Sequence, residues 1–179
     1  MTFRKKLLSD EASLYEYAVG ALSRRMRSVA ELKRLLRNRV PKDEAGSILV
    51  EMVILRLKEQ KYLNDSKYAA AYSAYRRDNE KFGQRRVMTD LRVKGVHSDL
   101  IEKAVKDVYS GVNEEKLARE FLKRKRLKKP ADNREAAKIF RTLMRAGFSS
   151  RTSINILKNW DVDDEVLSAL QEEDSSAEG

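Results

Sequence analysis

The chain of 179 residues is long enough for one large or two to three small helical units with a modest core. Lys and Arg total 38 against 28 Asp and Glu, and the net charge of +10 favours a polyanionic partner. Nucleic acid is the commonest such partner, with an acidic protein face or an anionic membrane as alternatives. The absence of Cys excludes disulfides and thiolate metal sites. The longest mainly apolar run, 48–57, is far too short to cross a membrane and no export signal opens the sequence, so we expect a cytoplasmic protein without a membrane partner.

Helical periodicity dominates the first sixty residues. Leu14 and Ala18 belong to the apolar stripe of a first amphipathic helix. Ser28 and Glu31 have the spacing of a capping box at the start of a second helix. Pro41 is typical of the first turn of a third helix. We expect this third helix to pack on more than one side, because its apolar residues surround much of its circumference: Ile48, Leu49, Met52, Val53, Ile54, Leu55 and Leu57.

A short pattern recurs at the end of each second helix. Leu91–Val96 aligns with Leu143–Phe148, and Leu35–Val40 fits the same frame with Arg39 in place of a glycine. The offsets are 56 residues (35 to 91) and 52 residues (91 to 143), and such a period predicts tandem repeats. We predict an all-α fold of three tandem three-helix, helix-turn-helix-like repeats in an elongated or curved array. The predicted segments are an N-terminal segment 1–11, repeats at 12–62, 63–110 and 111–160, and an acidic C-terminal tail 161–179.

The C-terminal segment has the opposite charge to the rest of the chain. Residues 161–179 contain eight acidic and no basic side chains, which leaves +18 (38 minus 20) on residues 1–160. We interpret residues 172–179, which are polar, acidic and rich in Ser, as a disordered tail. Such a tail either only improves solubility or competes with polyanions for the basic surface.

Motifs for catalysis and for cofactor binding are missing from the sequence. His97 is the sole histidine, and the chain has neither a phosphate-binding Gly-rich loop nor a nucleophile elbow. The carboxylate pairs Glu114–Glu115 and Asp163–Asp164 lie in polar contexts, where we expect exposure rather than the burial that raises the pKa of a catalytic acid. We therefore expect a protein that is not an enzyme and that has no cofactor and no metal.

Basic side chains cluster in three groups, each near the end of a first helix and along the second helix of a predicted repeat. Repetition can align the groups into one stripe that binds phosphates with little sequence preference and strong salt dependence. The alternative is that these side chains only solvate helix faces and pair with nearby carboxylates. The candidate contact residues are Arg24, Arg25, Arg27, Lys33, Arg34 and Arg37; Arg76, Arg77, Arg85, Arg86, Arg92 and Lys94; and Lys123, Arg124, Lys125 and Arg126.

The segment Tyr62-Leu63-Asn64-Asp65, together with Phe82-Gly83 and Lys94-Gly95-Val96 further along the chain, resembles the bacterial RecX family. The resemblance spans roughly residues 12–158. It implies tandem three-helix repeats and a non-enzymatic regulator of the RecA recombinase, which we expect to be a monomer. Such a regulator lies in the groove of the RecA filament on single-stranded DNA, with double-stranded DNA as an alternative partner. It restrains filament growth and reduces ATP hydrolysis, strand exchange and co-protease activity.

The resemblance also implies roles for single residues. Tyr62–Asp65 is expected to be a structural hinge between the first two repeats, with Asp65 as a helix cap and Tyr62 and Leu63 as packing anchors. Independently of the resemblance, the helical pattern places Gly95 and Gly147 where a helix ends in a left-handed residue, which glycine adopts without steric cost.

Two functions of other classes compete with this prediction. A helix-turn-helix transcription regulator would use one repeat to read a short duplex sequence. A helical protein–protein adaptor would bind its partner with weak salt dependence and without affinity for DNA.

Overall fold

The computed structural model describes the backbone of residues 7–177 and the side chains of residues 7–172. This part of the chain forms ten α-helices and no strand, which confirms the all-α prediction. The predicted repeat boundaries assign α1–α3, α4–α6 and α7–α9 to one repeat each. The helices are α1 (Glu11–Arg24), α2 (Val29–Arg37), α3 (Glu44–Glu59), α4 (Asp65–Asp78), α5 (Gln84–Val93), α6 (Ser98–Tyr109), α7 (Glu114–Arg124), α8 (Asn133–Arg145), α9 (Ser150–Lys158) and α10 (Asp164–Ala177).

The helices form two compact units. Unit 1 contains the described residues up to Ala71 together with Leu91–Ala104, and unit 2 contains Tyr72–Asp90 and the residues from Val105 onward. Each helix of the predicted second repeat is therefore divided between the two units. Contacts within a unit join residues that are far apart in sequence.

The core of unit 1 lies between α1, α2 and α3. Leu14 of α1, Leu32 and Leu36 of α2, and Val50 and Leu57 of α3 are fully buried. The four-residue spacing of Leu32 and Leu36 places both on one face of α2, where side chains one turn apart are neighbours. Each buried side chain of this size contributes roughly 1.5–3 kcal/mol relative to exposure.

The core of unit 2 is built by α7, α8, α9 and α10 around aromatic rings. The ring centroids of Phe121 and Phe148 lie 5.7 Å apart, and those of Phe82 and Phe121 lie 5.9 Å apart. Leu167 and Leu170 of α10 are buried in the same cluster. The C-terminal segment therefore contributes to the core of this unit.

Side-chain caps begin most of the helices, as local sequence predicts. The capping box of Ser28 and Glu31 is confirmed, with the Glu31 amide donating to Ser28 Oγ and the Ser28 amide donating to Glu31 Oε2. The expected position of Pro41 was wrong: α3 begins at Glu44, and Asp43 accepts the hydrogen bond of its cap. Pro41 lies two residues before that cap.

One contact between helix termini occurs twice at equivalent positions. In unit 1, a Cβ atom on Gly95 would meet the Cβ of Ala30 at 2.5 Å, and in unit 2 a Cβ atom on Gly147 would meet the backbone nitrogen of Arg86 at 2.2 Å. The offset of 56 residues relates Ala30 to Arg86, and the offset of 52 residues relates Gly95 to Gly147. Both glycines have positive φ, 76° and 89°. The start of one second helix thus packs on the glycine that ends the next.

The frame position held by Arg39 has a different environment. Arg39 lacks the positive φ of the two glycines, and its guanidinium lies 4.4 Å from the centre of the Tyr17 ring. Its carbonyl accepts a hydrogen bond from the Leu8 amide at 2.6 Å, where the other two positions contact a helix start. Because its φ is not positive, a side chain at this position carries no cost from a left-handed backbone.

The segment Tyr62–Asp65 corrects two expectations. Asn64, rather than Asp65, caps α4, because its Oδ1 accepts from the Lys67 amide at 2.9 Å. Asp65 Oδ1 instead accepts from the Val29 amide at 2.8 Å, so it caps α2. Tyr62 is 62% exposed and is not a packing anchor, whereas Leu63 is buried as expected.

Two further expectations need correction. In the described part of the chain α3 packs on one side only, because Ile48, Met52 and Leu55 are half exposed at 54%, 50% and 58%. The prediction of a disordered tail was wrong for residues 172–177, whose backbone is helical in α10. Glu178 and Gly179 lie outside the described residues.

Candidate nucleic-acid interface

The sixteen candidate contact residues differ in exposure. Eleven of them have largely exposed side chains: Arg24, Arg25, Arg34, Arg37, Arg85, Arg86, Arg92, Lys123, Arg124, Lys125 and Arg126. The other five are half-buried: Arg27, Lys33, Arg76, Arg77 and Lys94. Exposure separates cations that can reach a partner without rearrangement from cations that are held by contacts within their own unit.

Arg76 and Arg77 are held inside unit 2. Arg76 Nη2 lies 2.6 Å from Asp90 Oδ2, and its guanidinium stacks 4.3 Å from the centre of the Phe82 ring. Arg77 donates to the carbonyl oxygen of Val108. A charged hydrogen bond and a stacked ring both favour the structural position of these side chains.

Asp90 contacts one basic residue of α4 and one of α5. Its carboxylate accepts from Tyr72 Oη at 3.1 Å and from Arg76, and Arg86 Nε lies 3.0 Å from its other oxygen. Burial, together with the neighbouring Asp90 carboxylate, raises the pKa of Tyr72 to about 12 despite the opposing effect of Arg76. Arg86 is thereby oriented while its side chain remains 45% exposed. Asp90 carries no signal in the sequence that would have singled it out.

Glu31 brings the first and second basic groups together within unit 1. Its Oε1 lies 3.3 Å from Lys94 Nζ and 3.9 Å from Arg25 Nη2, and its Oε2 accepts from Tyr68 Oη at 3.1 Å. Burial alone would raise the pKa of Glu31, but the bonds from the Ser28 amide and from Lys94 outweigh it and hold this pKa below its ordinary value. The carboxylate therefore stays ionised and fixes two cations that are 69 residues apart in sequence (25 to 94).

The third group surrounds the end of α7. Lys123 and Lys125 form no ion pair within the described residues, whereas Arg124 Nη1 lies 3.4 Å from Glu80 Oε2. Arg126 has a positive φ of 57°, in the left-handed turn that ends the helix. The four consecutive cations therefore lie around the C-terminal end of α7 rather than along one face of the helix.

Glu114 has a role that the sequence analysis missed. It is half-buried, contrary to the expected exposure, and its carboxylate accepts from the Ser149 amide at 2.9 Å and from Ser149 Oγ and Thr152 Oγ1 at 2.6 Å. These donors lie at the start of α9. Glu114 is therefore a cap for a distant helix, and its hydrogen bonds explain its position without any catalytic role.

The described surface offers many cations, and its buried carboxylates have structural partners. No helix in the described part of the chain is both long and apolar enough to span a bilayer. These features define a basic, all-helical repeat protein whose exposed surface suits a polyanionic partner.

Comparison with known proteins identifies the family. Residues 64–105 match the family model of the second three-helix domain of RecX. The regulatory protein RecX of Leptothrix cholodnii is 34% identical over 149 residues, which cover 83% of this chain and 89% of that protein. The RecX of Bacillus pumilus is 34% identical over 137 residues, 75% of this chain, and the chain spans only 50% of the length of that relative. The chain belongs to the RecX family of regulatory proteins.

A solved structure agrees with the fold. The crystal structure of RecX from Lactobacillus salivarius superposes with a TM-score of 0.66, covering 86% of this chain and 99% of that chain at 21% identity. This likeness confirms the helical architecture. The fold prediction and the family resemblance are therefore both confirmed.

Proposed function

We propose that this protein binds the RecA filament on single-stranded DNA and restrains its growth, ATP hydrolysis, strand exchange and co-protease activity. Membership of a family of regulatory proteins supports a regulatory role. The observation that carries the proposal is the set of exposed cations from all three basic groups, since both a DNA backbone and an acidic protein groove are polyanionic.

Some of these cations are better candidates for contact than others. Arg34, Arg92 and Lys123 are exposed and form no ion pair within the described residues. A phosphate or carboxylate of the partner can therefore bind them without breaking an existing ion pair. Arg86 is a less suitable target, because its charge reversal would place a second carboxylate beside Asp90. The three unpaired cations represent the three groups, one each.

The first experiment measures ATP hydrolysis by RecA on single-stranded DNA while the protein is added well below one molecule per recombinase subunit. Inhibition at such ratios supports action on the filament, because competition for DNA requires near-saturating amounts. A lack of inhibition at every ratio, combined with a preference for one duplex sequence, would instead support a helix-turn-helix regulator. Salt-insensitive binding to a protein partner without DNA affinity would support an adaptor.

A matched pair of variants tests the surface. The variant Arg34→Gln/Arg92→Gln/Lys123→Gln removes three charges from the basic groups, and Lys103→Gln/Lys106→Gln/Arg151→Gln removes three exposed charges outside them. The first variant should inhibit RecA more weakly and should lower the salt slope of single-stranded DNA binding by about two, whereas the control should retain both. Equal effects of the two variants would show that only net charge matters.

A further inference from the structure

A surface cavity in unit 2 adjoins the third basic group. Its volume is about 510 Å³, and it lies between the C-terminal half of α7 and the end of α9. Leu122, Leu127 and Ile156 supply apolar lining, and the remaining lining residues are Arg119, Lys123, Asn159 and Trp160. A cavity of this size is within the range of small-ligand sites.

Trp160 supplies an aromatic ring to this cavity. It is the only tryptophan of the chain, and it follows the last turn of α9, where its amide donates to the Leu157 carbonyl at 2.9 Å. Its side chain is half-buried against the core of unit 2. A large ring that is anchored on one side and accessible from a cavity can stack with another flat ring.

Polar groups at the cavity are fixed in position by one carboxylate. Glu115 Oε1 pairs with Arg119 one turn along α7 and accepts from Asn159 Nδ2 at 3.4 Å. Lys123, also one turn further along α7, forms no ion pair within the described residues and is followed directly by three exposed cations. The cavity thus combines an aromatic ring, an amide and a cationic rim.

We propose that this cavity is a base-stacking site, in which one nucleobase of a single-stranded nucleic acid stacks on Trp160 and the adjoining phosphates contact Lys123 and the cations that follow it. A nucleobase is flat and aromatic, has polar edges that the Asn159 amide can meet, and is attached to a polyanion. An apolar peptide side chain would leave the amide and the cations unmatched. A base within a duplex would first have to be flipped out of its stack.

The proposed site depends on the proposed function in one respect: the RecA filament would be the source of the single-stranded DNA that it binds. The direct test uses an oligothymidylate strand and the fluorescence of Trp160, which is the only tryptophan of the 179-residue chain. Saturable quenching of this fluorescence is expected. An abasic strand of equal length, which keeps the phosphates but lacks the bases, should bind more weakly and should quench little.

Two substitutions separate stacking from folding. Trp160→Leu keeps an apolar side chain and should weaken binding of the labelled oligothymidylate by roughly 5- to 150-fold, the range for the loss of one stacked base. Trp160→Phe keeps an aromatic face and should bind within a few-fold of the native protein, measured by fluorescence anisotropy. Binding of the abasic strand should be the same for the native protein and for Trp160→Leu. Circular dichroism verifies that both variants are helical.

The outcomes distinguish this site from the proposed function. Equal binding of oligothymidylate by the native protein and by Trp160→Leu, or equal quenching by the abasic strand, would overturn the site while RecA inhibition could persist. Quenching by a hydrophobic peptide but not by oligothymidylate would also overturn it in favour of a protein ligand. Base-dependent quenching without any effect on RecA would retain the site and overturn the proposed function.

Discussion

A Cβ atom on Gly147 would lie 2.2 Å from the backbone nitrogen of Arg86, a distance that real Cβ atoms essentially never show. The Gly83 amide donates to the Ala146 carbonyl at 2.9 Å beside this contact, so two backbone segments meet directly. The equivalent approach of Gly95 to Ala30 is accompanied by a hydrogen bond from Ser28 Oγ to the Lys94 carbonyl at 2.6 Å. Glycine is therefore required at these positions both by the left-handed backbone and by the closeness of the start of the preceding repeat's second helix.

Substitution of Gly147 by Ala should destabilise unit 2 by about 2–5 kcal/mol. Roughly 1–2 kcal/mol of this comes from the left-handed conformation, and roughly 1–3 kcal/mol comes from the backbone shift that relieves the clash. Urea unfolding followed by Trp160 fluorescence reports on this unit.

Gly111→Ala is the matched control for that substitution. Gly111 also has a positive φ, 70°, but a Cβ atom there would have nothing within 4 Å. This variant should lose only the conformational part, about 1–2 kcal/mol. Equal losses at the two positions would show that the close approach of Arg86 carries no cost.

Sequence periodicity could predict the helices and the glycine turns, because both depend on local geometry. Gly95 and Gly147 stand at equivalent positions of a visible repeat, and Ser28 with Glu31 forms a self-contained motif. The partner of each glycine could not be predicted, because it is a residue more than 60 positions away along the chain. Leu167 and Leu170 were missed for a related reason: two apolar residues in an acidic segment form a helix only when a core is present to cover them.

The negative charge of Asp65 should lower the free energy of unfolding at neutral pH, although the hydrogen bond that the carboxylate accepts is stabilising. Burial raises the pKa of Asp65, with the bond from the Val29 amide opposing that effect. A carboxyl group with a raised folded-state pKa contributes stability below its unfolded value, and this stability is lost as the pH rises through the folded value. The ordinary value is 3.8, so the loss begins above that pH.

Asp65→Asn should therefore be no less stable than the native protein at neutral pH, since the amide oxygen can still accept from Val29. Asp65→Ala removes the acceptor and should lose about 1 kcal/mol, as other cap deletions do. Urea midpoints from circular dichroism at acidic and neutral pH measure both effects. A neutral-pH loss for Asp65→Asn as large as that for Asp65→Ala would mean that the charge itself is stabilising.

Substitution of Arg76 should lower the stability of the protein, whereas substitution of Lys125 should weaken its binding to DNA. Arg76→Gln removes a charged hydrogen bond to Asp90 and a stacking contact with Phe82, and should cost about 2 kcal/mol of unfolding free energy. Lys125→Gln, at an exposed end of α7, should leave the unfolding free energy within about 0.5 kcal/mol and weaken DNA binding. Trp160 fluorescence in urea gives the first quantity and oligonucleotide anisotropy the second. If Arg76→Gln weakened DNA binding without changing the unfolding free energy, Arg76 would be a contact residue rather than a structural one.

The contact residues were the least predictable feature, because ion pairing depends on the tertiary fold. Arg76 and Arg77 are indistinguishable in sequence from Arg85 and Arg86, yet the first two are half-buried and the second two are exposed. The groups that hold Arg76 and Arg77 in place, the Asp90 carboxylate and the Val108 carbonyl, lie on other helices. A count of basic residues therefore overestimates the surface that remains available to a polyanion.

Removal of residues 172–179 should tighten binding to single-stranded DNA at low ionic strength. The segment contains four acidic residues and no basic ones, so its deletion raises the net charge from +10 to +14 (10 plus 4). The core contacts of Leu167 and Leu170 precede the deletion, and unit 2 should remain folded. We expect affinity to rise about threefold to tenfold at low salt and to return to the native value at high salt, where screening removes the difference.

The matched variant Glu172→Gln/Glu173→Gln/Asp174→Asn/Glu178→Gln keeps the length of the chain and should reproduce the effect, measured by oligonucleotide anisotropy. Unchanged affinity in both variants would show that the segment does not compete with DNA for the basic surface, and an effect of the deletion alone would assign the competition to steric cover rather than to charge.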